Sequence, residues 1–373
     1  MTIRERILAV YQGKTPDCVP FMLDLCHWFY HRHRQSWDLS RSYEKPETEL
    51  IRYHQKVGAG FYLPNLGDFF SVDYGPHVQT ETRKETTPEG ERITWRLTTP
   101  SGSIERVRMW EEASYSWAIR DWGVQNESDL RILGEALANR TFSPRWDRYD
   151  AWLKEVGDVG VAYLNTGYSG MGYLLSLWMG IEGGTFAAAD YPSTVREVVD
   201  QINASNLRLI DLFAQSPAEV ILMGDNFSSD VQPPRFFKEW SHAYYAEAIR
   251  RLHAAGKRVM VHIDGRLRGA LRMIREAGAD GADAVTPKPM GDLSPRECRE
   301  EAGDQFILSG GVAPNLWLPE VDIETFRKAV LAWLELKKKG PHLIANAGDQ
   351  VPPNAVEERI EIMRDMVEKH GRF

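Results

Sequence analysis

The chain has 373 residues, 43% of them hydrophobic and 26% charged, with a formal net charge of −8 and a pI near 5.8. That length admits one large domain or two ordinary ones, and the acidic balance argues against nucleic acid as a partner. No apolar stretch approaches the ~20 residues of a membrane helix, the N-terminal MTIRERILAVYQGKTPD is charged rather than a secretory signal, and Cys18, Cys26 and Cys298 are too scattered for a disulfide framework, so a cytoplasmic protein without membrane contact is expected.

In chain order, short apolar runs fall at 19–24 (VPFMLD), 60–64 (GFYLP), 160–165 (GVAYLN) and 219–226 (EVILMGDN). Four more follow at 258–264 (RVMVHID), 282–287 (ADAVTP), 305–311 (QFILSGG) and 342–349 (HLIANAGD). Helical patterns separate most of them, near 45–58, 192–215, 236–255, 266–278, 293–302, 322–339 and 354–369. Uninterrupted apolar strands between amphipathic helices predict a parallel sheet covered on both faces. Eight such units predict an α/β fold of the (β/α)8, TIM-barrel type, occupying 1–373 as a single domain. A doubly wound open sheet is the competitor, although no Gly-x-Gly-x-x-Gly follows the first strand. Residues 68–123 break the rhythm: 79–87, 91–98 and 103–110 alternate between turn signals and read as a small antiparallel insertion between the second and third strands. It is expected near the barrel mouth, as a substrate cover or as a purely structural one.

In such barrels the chemistry sits at the C-terminal ends of the strands. Asp24 ends the first strand, and His27 and His31 share a helix face just beyond it. Asn165 ends the third, and the glycines of the turn 165–172 permit close approach of a ligand beside Tyr168. Asp225 and Asn226 close the fourth, as an acid or ligand or as an Asx turn. At the fifth, His262 and Asp264 lie two residues apart and share a face. They read as metal ligands, as a carboxylate-oriented general base, or as a structural couple. Asn346 and Asp349 end the eighth strand. Several tryptophans, among them Trp95, Trp122 and Trp178, fall near loops and could wall a pocket.

The order of these pieces resembles the uroporphyrinogen decarboxylase superfamily, whose fold is a (β/α)8 barrel and which includes corrinoid-dependent methyltransferases. The resemblance rests on Gly13-Lys14-Thr15-Pro16-Asp17-Cys18-Val19-Pro20, Thr99-Pro100-Ser101-Gly102, Asp190-Tyr191-Pro192 and Met223-Gly224-Asp225-Asn226. It continues through Pro234–Trp240, Val261-His262-Ile263-Asp264-Gly265, Gly310–Pro314 and Asn346-Ala347-Gly348-Asp349. The porphyrin enzyme's Arg-x-Ala-Gly-Arg segment after the first strand is absent; 24–34 reads DLCHWFYHRHR. The methyltransferase branch holds zinc through a His-x-Cys after the fifth strand and a Cys after the eighth. Here His262 matches the histidine, Asp264 replaces one cysteine and Asp349 falls near the other.

The resemblance therefore implies a methyltransferase or demethylase that moves a methyl group from a small O- or N-methylated substrate to a corrinoid on a separate protein. The chain shows no Asp-x-His-x-x-Gly corrinoid-binding segment of its own. Expected metal ligands, for zinc or another divalent ion, are His262, Asp264 and Asp349. Catalytic groups are expected at Asp225, His262 and Asp24, and substrate-binding groups at Asn165, Tyr168, Asn226, His27 and Asn346. A homodimer is implied by resemblance alone. The alternatives are a decarboxylase of a small aromatic or tetrapyrrole acid, with Arg32, Arg34 or Arg266 holding the carboxylate, and a non-catalytic barrel.

Overall fold

The computed structural model describes residues 1–35, 37–41, 43–63 and 69–373. Among them the strands are β1 (Met22–Leu23), β2 (Gly60–Phe61), β3 (Phe70–Asp73), β4 (Gln79–Thr87), β5 (Gly90–Thr99), β6 (Gly102–Glu111) and β7 (Ser116–Asp121). There follow β8 (Thr141–Pro144), β9 (Leu164–Asn165), β10 (Val220–Phe227), β11 (Arg258–Ile263), β12 (Gly281–Val285), β13 (Ile307–Gly311) and β14 (Leu343–Asn346).

The molecule is an α/β fold built on a mostly parallel sheet. Six strands pair in the order β14-β13-β12-β11-β10-β9, and β1 pairs with β2. Two parallel bridges, Phe21–Ala345 and Phe61–Gly160, tie that pair to β14 on one side and to the segment entering β9 on the other. These eight strands coincide with the eight apolar runs, most of them shortened, with β10 reaching Phe227 and β12 starting at Gly281, one residue beyond their runs. Pro64, which closes the second run, and Asp68, which opens the expected insertion, lie outside the described residues.

Side-chain alternation along the strands sorts the core into two sets. Met22, Tyr62, Tyr163, Leu222, Met260, Ile307 and Ile344 form one cluster with Ile7, Val10 and Tyr11 of the N-terminal helix Ile3–Tyr11. Their neighbours Leu23, Phe61, Leu164, Val261, Leu308 and Leu343 belong to a second, larger cluster shared with the surrounding helices. Both faces of the parallel strands are thus buried, as uninterrupted apolar runs require.

Helix boundaries follow local chemistry. Thr2 with Glu5 and Ser294 with Glu297 form capping boxes at Ile3–Tyr11 and Pro295–Ala302. Pro192 opens Pro192–Ala214, and Gly58, at a left-handed φ of 69°, closes Thr48–Val57. The helix expected over 236–255 is two, Pro234–Trp240 and His242–Ala254, broken at Ser241, whose hydroxyl donates to Gln232 at 2.6 Å.

Strands β4–β7 form a four-stranded antiparallel sheet at 79–121. The pattern anticipated three of these; β7 and the helices Glu127–Ala138, Trp146–Val156 and Gly180–Asp190 were not anticipated. The meander packs through Leu97 and Ile104 onto Leu130 and Leu133 of Glu127–Ala138. No described helix is long and apolar enough to cross a membrane.

Candidate active site

His262 is the fifth residue of β11, and the parallel register sets it opposite Asp283 of β12. His262 Nδ1 lies 3.2 Å from Asp283 Oδ2, and the hydroxyl of Tyr62, just after β2, donates to the same oxygen. Asp283 is only 2% exposed, and its Oδ1 has no partner among the described residues. Beside it the β12–β13 register slips between Ala282 and Val285, and Ala284 adopts a φ of +63°. Such a bulge re-aims a side chain at a cost in backbone strain.

The charges here set the state of the imidazole. Burial opposes the cation, but the hydrogen bond His262 donates to Asp283 and the charges of Asp283, Asp349 and Asp264 outweigh it and raise His262 to about 9. The balance of these charges favours the imidazolium. With Nδ1 held by Asp283, Nε2 is the proton-bearing nitrogen left for a ligand. Burial, with the charge of Asp264, raises Asp349 to about 6 against the pull of His262.

His262, Asp264, Asp349 and Asn226 floor a cavity of about 640 Å³, a size suited to a small molecule. Trp37, Tyr43 and Tyr168 wall it, and the meander supplies a roof of Trp95, Arg106, Arg108 and Ile119. The insertion thus lies over the strand ends. A second cavity of about 850 Å³, with Trp122 and the exposed Phe186 on its wall, adjoins this one through Ser176, Asn226 and Asp264.

The other expected site residues divide between the cavity and the frame. Tyr168 and Asn226 line it, Asn226 at a left-handed φ of 46° that asparagine tolerates. Asn165 uses its amide oxygen to accept from Gly167 N at 2.7 Å, ordering the turn. Asn346 is buried, with Nδ2 3.4 Å from Ser309 Oγ and an Oδ1 that has no partner among the described residues. His27 stacks on Trp37 at 4.9 Å, and burial lowers it to about 4, so it is a neutral ring behind the wall. Its helix partner His31 packs on Tyr115 instead.

Asp225 requires a correction. Oδ1 accepts from Ser169 N at 2.6 Å, and Oδ2 accepts from Ser169 Oγ at 2.5 Å and Gln232 Nε2 at 3.3 Å. A Cβ at Gly172 would lie 2.1 Å from Oδ1, so the helical turn sits directly on the carboxylate. Burial pushes it up to about 6, with the Ser169 bonds pulling back. Asp225 ties the turn 165–172 to β10 and is not among the residues lining the cavity. Asp24 is buried differently: Oδ1 accepts from Cys26 N at 3.0 Å, Oδ2 has no partner among the described residues, and burial raises the acid to about 6.

The side chains expected to hold a metal are not gathered on one point as placed. Asp283 orients His262 as a carboxylate orients a ligating imidazole, but a zinc site needs three or four converging donors. Among the described residues no three His, Cys, Asp or Glu side chains converge in that way, those of His262, Asp264 and Asp349 included. All three cysteines are buried and free, and burial holds the thiol of Cys26 well above its ordinary value. The arginines expected to hold a carboxylate are placed elsewhere. Arg32 pairs with Glu357 and Arg266 with Asp230, and neither they nor Arg34 line the cavity.

Asp283, Tyr62, Arg106 and Arg108 are the site residues that sequence reasoning missed. The available signal for Asp283 was a lone acid inside the apolar run Ala282–Val285. For the arginines it was their two-residue spacing on an alternating strand.

No curated protein matches the chain. Among solved structures it is similar to a methyltransferase from Methanosarcina mazei, at 15% identity and a TM-score of 0.61 over 99% of each chain, a likeness of fold. It also aligns with a spore cortex-lytic enzyme of Bacillus megaterium at 12% identity and a TM-score of 0.31, over 60% of this chain and 63% of that one. The family model for uroporphyrinogen decarboxylase (URO-D) matches residues 179–370, just over half of the chain. That span carries His262, Asp283 and Asp349, and by it the chain belongs to the uroporphyrinogen decarboxylase (URO-D) family.

Proposed function

We propose that the protein is a methyltransferase on a (β/α)8 barrel, which removes a methyl group from a small O- or N-methylated substrate held in the cavity above His262. The observation that carries this reading is His262, held by Asp283 in the lining of an aromatic-walled cavity. A methyl group leaves an oxygen or nitrogen with difficulty unless that atom is protonated or bound to a Lewis acid. Among the described residues no three donor side chains gather on one point, and in this reading His262 supplies a proton. As the carbon–heteroatom bond breaks, its electron pair stays on the heteroatom, which takes the proton from His262 Nε2. Asp283 keeps the imidazole oriented, and Asp349 and Asp264 favour its charged form before the transfer. A cobalt nucleophile on a separate corrinoid protein would accept the methyl group, so that the chain's own part is orientation and proton supply.

The test is methyl transfer to reduced free cobalamin from a panel of methyl ethers and methylamines, followed by the visible spectrum. Methylcobalamin formed by the native protein, and lost in His262→Gln, is the expected result. No methylcobalamin with any donor overturns the reading.

A second reading has one specific observation behind it. Arg106 and Arg108 could hold a substrate carboxylate while His262 protonates the carbon that loses carbon dioxide, as a decarboxylase requires. Carbon dioxide release from small acids, without methyl transfer, would establish that reading.

A further inference from the structure

Two arginines of the roof lack the ion pairs that other arginines of the meander make. Arg92 and Arg96 on β5 sit against Glu85 and Glu105 in exposed ion pairs. Arg106 and Arg108, two residues apart on β6 and on one face of it, have no carboxylate partner among the described residues. Arg106 is clamped between Trp95 and Trp178, its guanidinium carbon 4.7 and 5.0 Å from the two ring centroids. One of its amino groups donates to Leu177 O at 3.4 Å, and one of Arg108's donates to Trp117 O at 3.3 Å. The Nε of each is shut off from bulk solvent and has no acceptor among the described residues.

Such an arrangement is costly as it stands. The two cations repel each other, and burial lowers Arg106 to about 10. Unpaired buried donors carry the full penalty of their lost hydration. The clamp of rings fixes the position of Arg106, so these donors cannot swing out to water without giving up the stacking. Both arginines line the cavity that His262 floors.

We propose that Arg106 and Arg108 form an anion subsite that binds the carboxylate of the substrate, so that the substrate class is small methylated carboxylic acids. This deepens the methyl-transfer reading and rests on it for the fate of the methyl group, but not for the binding itself. A carboxylate offers several lone pairs to guanidinium N–H groups in a charge-assisted bond. Asp264 and Asp349 on the floor disfavour a dianion such as phosphate. The acid group is held at the roof, and the methylated end is turned towards His262.

The experiment is equilibrium binding, read by tryptophan fluorescence and calorimetry, of para-methoxybenzoate, benzoate and acetate against their neutral amides. Inorganic phosphate is the third arm. At least one acid should bind tighter than its amide by about tenfold or more, the ratio a charge-assisted bond supplies. That preference should vanish in Arg108→Gln and in Arg106→Gln and be partly kept in Arg106→Lys. Circular dichroism checks the fold; should the Arg106 variants not fold, Arg108→Gln decides. No preference for any acid, a preference that survives both glutamine variants, or phosphate binding as tightly as the acids would each overturn the proposal. A protein that discriminates acid from amide yet moves no methyl group keeps the subsite and loses the methyl-transfer reading. One that demethylates neutral ethers as readily as acids does the reverse.

Discussion

The floor and the roof of the cavity solve the same problem in opposite ways. On the floor, His262 is a charged group taken out of water, and Asp283 stands opposite it in the neighbouring strand to compensate it. On the roof, Arg106 and Arg108 are half-buried with the Nε of each shut off from solvent, and Arg106 has stacking in place of a counter-ion. The first arrangement is complete in itself, and in the proposed reading it sets the state of the reacting group. The second is complete only with a ligand. A self-compensated charge reads as machinery, and an uncompensated one reads as a binding site.

The comparison can be broken or sharpened by substitution. The largest effect belongs to His262→Gln, which removes the acid. Methyl transfer should fall by ~10²-fold or more while binding of para-methoxybenzoate, a roof property, is kept. Loss of binding and turnover together would merge floor and roof into one unit.

Asp225→Asn comes next and tests the reassignment of that residue. It should cost about 2–3 kcal/mol in denaturant unfolding, since a buried carboxylate loses charge-assisted bonds. The folded variant should retain its turnover. A stable but inactive variant would restore Asp225 to catalysis.

Asp283→Asn isolates the floor's compensation through pH. The folded-state value of His262, about 9, lies above the ~6.5 of an unfolded histidine. The pair's contribution to stability is thus fully present below about pH 6.5 and is lost as the pH rises through about 9. Unfolding free energy measured across that window should decline in the native protein and flatten in the variant. An identical decline in both would show that Asp283 does not hold the proton on His262.

Smaller effects are expected from the packing groups. Trp95→Ala removes one face of the Arg106 clamp and should weaken acid binding by about 0.5–2 kcal/mol, with amide binding little changed. His27→Gln should cost about 1 kcal/mol of stability and leave KM unaltered, because that ring packs behind Trp37.

Much of the frame was legible because a parallel strand buried on both faces leaves an uninterrupted apolar run, and all eight runs became strands. His262, Asp264 and Asp349 were legible for the same reason: polar residues at the end of such a run face a strand-end site. The same logic misread Asp225, because strand-end position says nothing of what packs on a side chain, and here the turn 169–172 encloses it. Asp283 escaped because its meaning lies in register: only the pairing of β11 with β12 sets it beside His262, 21 residues earlier in the chain. Arg106 and Arg108 looked like the outward residues of an alternating strand, and alternation cannot tell solvent from a cavity. The metal was inferred from residue types, and whether donors converge is a matter of three-dimensional geometry alone.

The central claim is that His262 is a proton-bearing acid held by Asp283, and imidazole NMR titration tests it most directly. Spectra of the native protein, with His262→Gln to assign the resonance and Asp283→Asn to remove the counter-ion, would be followed from pH 5 to 10. The account predicts that His262 stays protonated through neutrality, loses its proton near pH 9, and does so at distinctly lower pH in Asp283→Asn. A His262 already neutral at pH 7 in the native protein would contradict it.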